Sequence, residues 1–263
     1  MPLDPGQLLA QYGEEQVATF FLVLARISPL FLLAPLFSNR LFPARARGIA
    51  AVGLAFGLSG VVGRGADVPL DVFTFGGLMF KEVLVGLAYS YILGALFAAV
   101  AVAGSLLDTL IGFSYGALID PVSGNQSSVL GQMYALIGVL VFVSIGGDGW
   151  VIQGLGRTYE LVPLVDVPAI GSLVGGVQLA FAGIFSSALQ ICAPILLALT
   201  ITDAAFGVVS RVVPQLNVFA VGFPAKVVVG LLLIGVSLPF AAQWLADELQ
   251  RSVGSALHAL RVG

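Results

Sequence analysis

Between Val83 and Leu107 the chain runs 25 residues without a charge, and between Pro121 and Gly147 it runs 27. A bilayer core about 30 Å thick is crossed by roughly 20 apolar helical residues. Each run is therefore long enough to be a membrane helix. Over the 263 residues, 59% are hydrophobic and 10% charged, with a mean hydropathy of +1.05, whereas soluble domains carry about 25% charged residues. No run alternates strictly between polar and apolar positions, as the strands of a membrane barrel do. The expected fold class is all-α, an integral membrane helical protein. The 33 glycines fit close helix packing, because small residues let backbones approach in lipid.

The segment between those runs is of another kind. Ile111-Gly-Phe-Ser-Tyr-Gly-Ala-Leu-Ile-Asp-Pro-Val-Ser-Gly-Asn-Gln-Ser-Ser128 is rich in turn and breaker residues. Irregular backbone at membrane depth survives only inside protein or against water. Two readings stay open from the residues alone: an ordinary extramembrane loop, or a re-entrant loop, gate or plug. In the second, Gly112, Gly116 and Gly124 supply backbone freedom. Phe113, Tyr115, Leu118 and Ile119 fill a constriction, and Asp120-Pro121 starts a turn.

Other runs punctuate the chain. The first is Val17 to Phe37, interrupted by Arg26, Pro29 and Pro35, and the second is Gly48 to Gly63. Arg40, Arg45 and Arg47 between them argue for a cytoplasmic loop. Phe73 to Leu110 is expected as one long helical stretch and Val129 to Gly147 as another, ended by the Gly146 to Gly149 break. Trp150 to Leu164 reads as amphipathic. Val167 to Thr202 is 36 residues without charge, too long for one span unless bent, and Pro194 is the expected bend. The last run is Val227 to Ala246. In the tail, Leu249, Val253, Leu257 and Leu260 have the spacing of a surface helix. No basic residue precedes Arg26, so no signal peptide is expected and the first run should remain in the mature protein.

Catalytic chemistry is hard to place. The one cysteine, Cys192, reads as a small buried residue. Gly57-Leu58-Ser59-Gly60 fits the Gly-x-Ser-Gly of intramembrane serine proteases, but such a serine needs a base and the one histidine, His258, lies in the polar tail. Charges inside apolar runs are functional candidates by default: Arg26, Lys81, Glu82, Asp108, Asp203, Arg211 and Lys226. They fall mostly at run ends, which favours structural pairing or subunit contact over an ion relay. The net charge of −3 gives no support for a nucleic-acid partner.

Two strings together carry a resemblance. Gly-Phe-Ser-Tyr-Gly-Ala-Leu-Ile-Asp-Pro at Gly112 to Pro121, and Arg-Val-Val-Pro-Gln-Leu-Asn-Val-Phe-Ala-Val-Gly-Phe-Pro at Arg211 to Pro224, resemble the FliR family of type III export-gate subunits, which includes its counterparts in virulence secretion systems. Run order, the Arg26-Ile-Ser-Pro29 segment and the Gly147-Asp148-Gly149 break agree over essentially the whole chain. The resemblance implies a FliP-like part, about residues 1–171, followed by a FliQ-like helical hairpin and tail, about 172–263. It implies a place in a right-handed helical assembly with FliP and FliQ, with FlhB and FlhA as neighbours, in the bacterial inner membrane at the flagellar basal body. Unfolded flagellar proteins are the implied cargo, and no enzymatic activity, cofactor or metal is implied. The plug would comprise Gly112, Phe113, Tyr115, Gly116, Leu118, Ile119, Asp120 and Pro121. An assembly motif would comprise Arg211, Pro214, Gln215, Asn217, Phe219, Gly222, Phe223 and Pro224, with Pro214, Gly222 and Pro224 setting helix breaks. The alternative use is a virulence secretion system.

Overall fold

The computed structural model describes residues 5–33, 43–63, 68–113, 128–215 and 217–260. All regular structure among them is helical: α1 (Pro5–Leu33), α2 (Ala44–Val62), α3 (Val72–Ile111), α4 (Val129–Ser144), α5 (Gly147–Leu161), α6 (Ile170–Val212) and α7 (Val218–Ala259). Five helices among the described residues, α1, α2, α3, α6 and α7, are long and apolar enough to cross a membrane.

Helix ends follow local chemistry. Asp71 accepts from the Thr74 amide at 3.1 Å and from its hydroxyl at 3.0 Å, capping α3. These bonds, the backbone one foremost, hold the Asp71 carboxyl below its ordinary value. Ser128 caps α4 by accepting from the Gly131 amide at 2.8 Å. The α4–α5 break is confined to Ile145 and Gly146, where Gly146 takes φ +69°. Gly147 to Gly149 are already helical, so the break is shorter than their composition suggests.

The long helices are more continuous than their prolines imply. α6 contains Pro194 and α7 contains Pro224 and Pro239. The expected bend leaves α6 a single helix, and the last run and the polar tail form one helix. A proline removes one backbone bond, and in apolar helices packing and local adjustment compensate it. At 1.5 Å per residue, the 40, 43 and 42 residues of α3, α6 and α7 extend about 60 Å or slightly more. That is twice a bilayer core, so none of the three is a simple crossing.

The chain packs as two compact units, residues 1–94, 147–180 and 250–263 in the first and 95–146 and 181–249 in the second. α3, α6 and α7 each contribute to both. In the first, α3 lies so close to α1 that a Cβ at Gly86 would overlap the Arg26 carbonyl. This close approach has a consequence one turn away. Glu82 shares a helix face with Gly86 and meets the Arg26 side chain. Tyr89, two turns on from Glu82, is buried and donates to the Val151 carbonyl at 2.8 Å. α5 accommodates it at Gly154, where a Cβ would collide with the Tyr89 hydroxyl. In the second unit, Phe97 and Phe142 meet edge to face at 5.3 Å.

Candidate functional site

The sequence places the candidate gate between α3 and α4, and the described residues there form its neck, within the second unit. α3 ends because Gly112 turns to φ +105°, a conformation that only glycine adopts without cost. The Asp108 carbonyl accepts from both the Gly112 and Phe113 amides at 3.1 Å. The Asp108 carboxylate accepts from the Leu130 amide at 3.0 Å, in the first turn of α4. A carboxylate there also faces the positive end of the helix dipole.

Beside this contact the two helices nearly touch. A Cβ at Gly104 would lie 2.5 Å from the Leu130 carbonyl, and one at Gly131 would lie 2.6 Å from the Ser105 hydroxyl. Ile111 packs on α7 at Gly230, where a Cβ would sit 2.5 Å from its Cδ1. Of the expected plug residues, Gly112 is buried and Phe113 half-buried. Tyr115, Gly116, Leu118, Ile119, Asp120 and Pro121 lie outside the described residues.

The second string forms the connection between α6 and α7. Arg211 is in the last turn of α6, and Pro214 and Gln215 follow it, exposed. Asn217 caps α7, its Oδ1 accepting from the Ala220 amide at 3.2 Å. Phe219, Gly222, Phe223 and Pro224 belong to α7 itself. Only Pro214 therefore stands at a break. The Asn217 cap starts the helix ahead of Gly222 and Pro224, which correct the expectation that they interrupt it. Gly222 is buried, with the Phe206 ring 3.6–3.7 Å from where its Cβ would be. That is ordinary contact, so Gly222→Ala is expected to preserve the hairpin. Gly222→Leu must displace Phe206, at about 1–3 kcal/mol for overpacking. Yield of the assembled complex and swimming should fall for leucine only, and equal losses from both substitutions would refute the packing role.

Sequence reasoning noted the charges without finding their partners. Arg26 is fully buried in the first unit, and its five N–H groups have acceptors. Nε and Nη2 form a bidentate pair with Glu82; Nη1 donates to the Thr158 carbonyl at 3.0 Å and its hydroxyl at 3.3 Å; and Nη2 also donates to the Val162 carbonyl at 2.8 Å. The guanidinium sits 4.1 Å from the Tyr159 ring centre, a cation–π contact. Lys81 lies 2.6 Å from the same Glu82 carboxylate and donates to the carbonyls of Pro163, Leu164 and Asp166 at 3.1, 2.7 and 3.1 Å. Two cations thus share one carboxylate and bind the carbonyl-rich end of α5, the negative end of its dipole. In the second unit Lys226 pairs with Asp203 at 2.8 Å. This is the structural pairing favoured for these residues. The protease-like serine is ordinary: Ser59 donates to the Phe56 carbonyl of its own helix at 2.9 Å.

Residues 17–252 match the family described as bacterial export proteins, family 1. The chain belongs to this family. Flagellar biosynthetic protein FliR of Bacillus subtilis is 35% identical over 225 residues, covering 83% of this chain and 85% of the relative. FliR of Escherichia coli is 28% identical, covering 85% of each. The surface presentation of antigens protein SpaR of Shigella sonnei is 29% identical, covering 81% and 82%.

Proposed function

We propose that this export protein is the FliR-type subunit of a flagellar export gate, completing with FliP- and FliQ-type partners a channel for unfolded flagellar proteins. Its export role and flagellar use rest on the family match over residues 17–252 and the FliR relatives. It is a multi-pass inner-membrane protein, in keeping with its five apolar helices. The observation that carries the partner assignment is the exposed apolar surface of α6 and α7. Leu179, Phe185, Leu197, Val208, Leu232 and Val236 are all more than half exposed. Helices about 60 Å long expose such residues beyond the reach of a single bilayer core, where protein must cover them. FlhB- and FlhA-type neighbours belong to the same reading.

The division near residue 172 is supported by the α6–α7 pair, a hairpin of two long helices with a short connection. Residues 112–121 serve as plug and 211–224 as assembly motif. In this reading the chain works as a conduit component and not as an enzyme: Ser59 donates to a carbonyl of its own helix, and His258 is an exposed residue in the last turn of α7.

Co-expression with FliP- and FliQ-type partners is expected to give one stable hetero-oligomer by native mass measurement, and expression alone a poorly behaved chain. A monodisperse, well-folded monomer in mild detergent, indifferent to those partners, would sink the proposal. The similarity to SpaR favours a virulence system as second reading. Restoration of swimming in a strain lacking its own FliR separates the two.

A further inference from the structure

We propose that Asp108 is a positioning residue that ties the exit of α3 to the start of α4, and so fixes both ends of the 114–127 connection. The inference rests on the reading of that connection as the seal of the channel, and it names the residue that sets its place.

Asp108 is the one charge between Glu82 and Asp120, and it is 2% exposed. A carboxylate buried among apolar helices is costly unless hydrogen-bonded. Its side chain accepts from Leu130, 22 residues further on, while its carbonyl takes the Gly112 and Phe113 amides. One residue therefore holds the departing strand through its backbone and the returning strand through its side chain. α4 does not need this carboxylate in order to start, because Ser128 already caps it locally. What Asp108 adds is the link between helices. The link is short because Gly104 and Gly131 leave no side chain between the backbones there. Removing a hydrogen bond to a charged group shifts an equilibrium by roughly tenfold or more, and the equilibrium here is between a closed and an opened neck.

The test uses inner-membrane vesicles carrying the assembled gate, with assembly checked by copurification. Asp108→Ala should raise ion permeability toward that of a gate lacking residues 114–123. Asp108→Asn keeps an acceptor but no charge, and should fall between. A Cβ at 131 would lie 2.6 Å from the Ser105 hydroxyl, so cysteines at 105 and 131 are within disulfide reach. In a chain carrying Asp108→Ala, Ser105→Cys, Gly131→Cys and Cys192→Ala, diamide oxidation should close the leak and dithiothreitol should reopen it, while the same cysteines beside an intact Asp108 should be tight under both conditions. A structural defect elsewhere would not respond to that bond. If Asp108→Ala fails to assemble, Asp108→Asn carries the comparison. Assembled Asp108 variants as tight as the intact gate beside a leaky loop-deleted gate overturn the inference alone, as does a leak indifferent to the disulfide. A tight loop-deleted gate overturns the sealing reading and this inference with it.

Discussion

Glu82→Ala is expected to abolish accumulation of the protein, while Lys81→Met, one residue away, should be far milder. The difference follows from how the charges are shared. Arg26 and Glu82 are fully buried and Lys81 nearly so, and the single carboxylate faces both cations. Removing it strands two positive charges where water does not reach. Breaking a buried pair by deleting one partner costs about 3–5 kcal/mol, a large part of the stability a folded protein has. Lys81→Met leaves the bidentate Arg26–Glu82 pair whole and loses the second cation on that carboxylate together with the contacts to the 163–166 carbonyls. Arg26→Met should fall between. It leaves Glu82 paired with Lys81, yet takes a donor from the Val162 carbonyl and from the Thr158 carbonyl, which keeps the Val162 amide, and loses the Tyr159 stacking. Steady-state membrane level and yield of the partner complex measure the order. Glu82→Ala accumulating as well as Lys81→Met would show that the network contributes little.

That network also marks what a sequence can and cannot disclose. The helices were legible from uncharged runs: α3 and α4 begin and end within a few residues of the expected limits, since a run's length and its flanking glycines act locally. Pairing is not local. Arg26, Glu82 and Thr158 lie 56 and 76 residues apart in sequence; the close approach at Gly86 brings the first two together, and Arg26 reaches Thr158 on α5. The signal was present as two charges at the head of an apolar run and one in the middle of another, but a charge states only that a partner is needed. The same holds for Asp108, whose Leu130 amide is visible only once α3 and α4 are placed. Breaks depart from local tendency in the other direction. Gly222 and Pro224 have breaking tendencies that neighbouring helical residues override, whereas Pro214, which stands just beyond the end of α6, sits where a proline ends a helix without loss. The proposed plug lies mostly outside the described residues, and its composition is what the sequence discloses of it.

Deleting Ser114 to Ser123 should leave the gate assembled but permeable to small ions. A channel for unfolded protein must pass bulky side chains and yet hold back water and ions at rest. A rigid pore narrow enough for the second cannot do the first, so some element must move. The connection after Phe113 removes Tyr115, Leu118 and Ile119 when it is cut, together with Gly116. The deletion begins past Phe113 because the Gly112 and Phe113 amides complete the end of α3 on the Asp108 carbonyl. The four residues that remain before Ser128 are enough to join two helices, whose connections in bundles run about 2–8 residues. With the neck bonds of Asp108 and Ser128 kept, the surrounding helices have no reason to come apart. Export can continue, since the change removes a barrier and not a source of drive. The comparison is membrane permeability in cells expressing the shortened or the intact protein at equal assembly. If the shortened gate is as tight as the intact one, sealing belongs to another part of the assembly. If it leaks while still supporting swimming, the barrier lies in those ten residues.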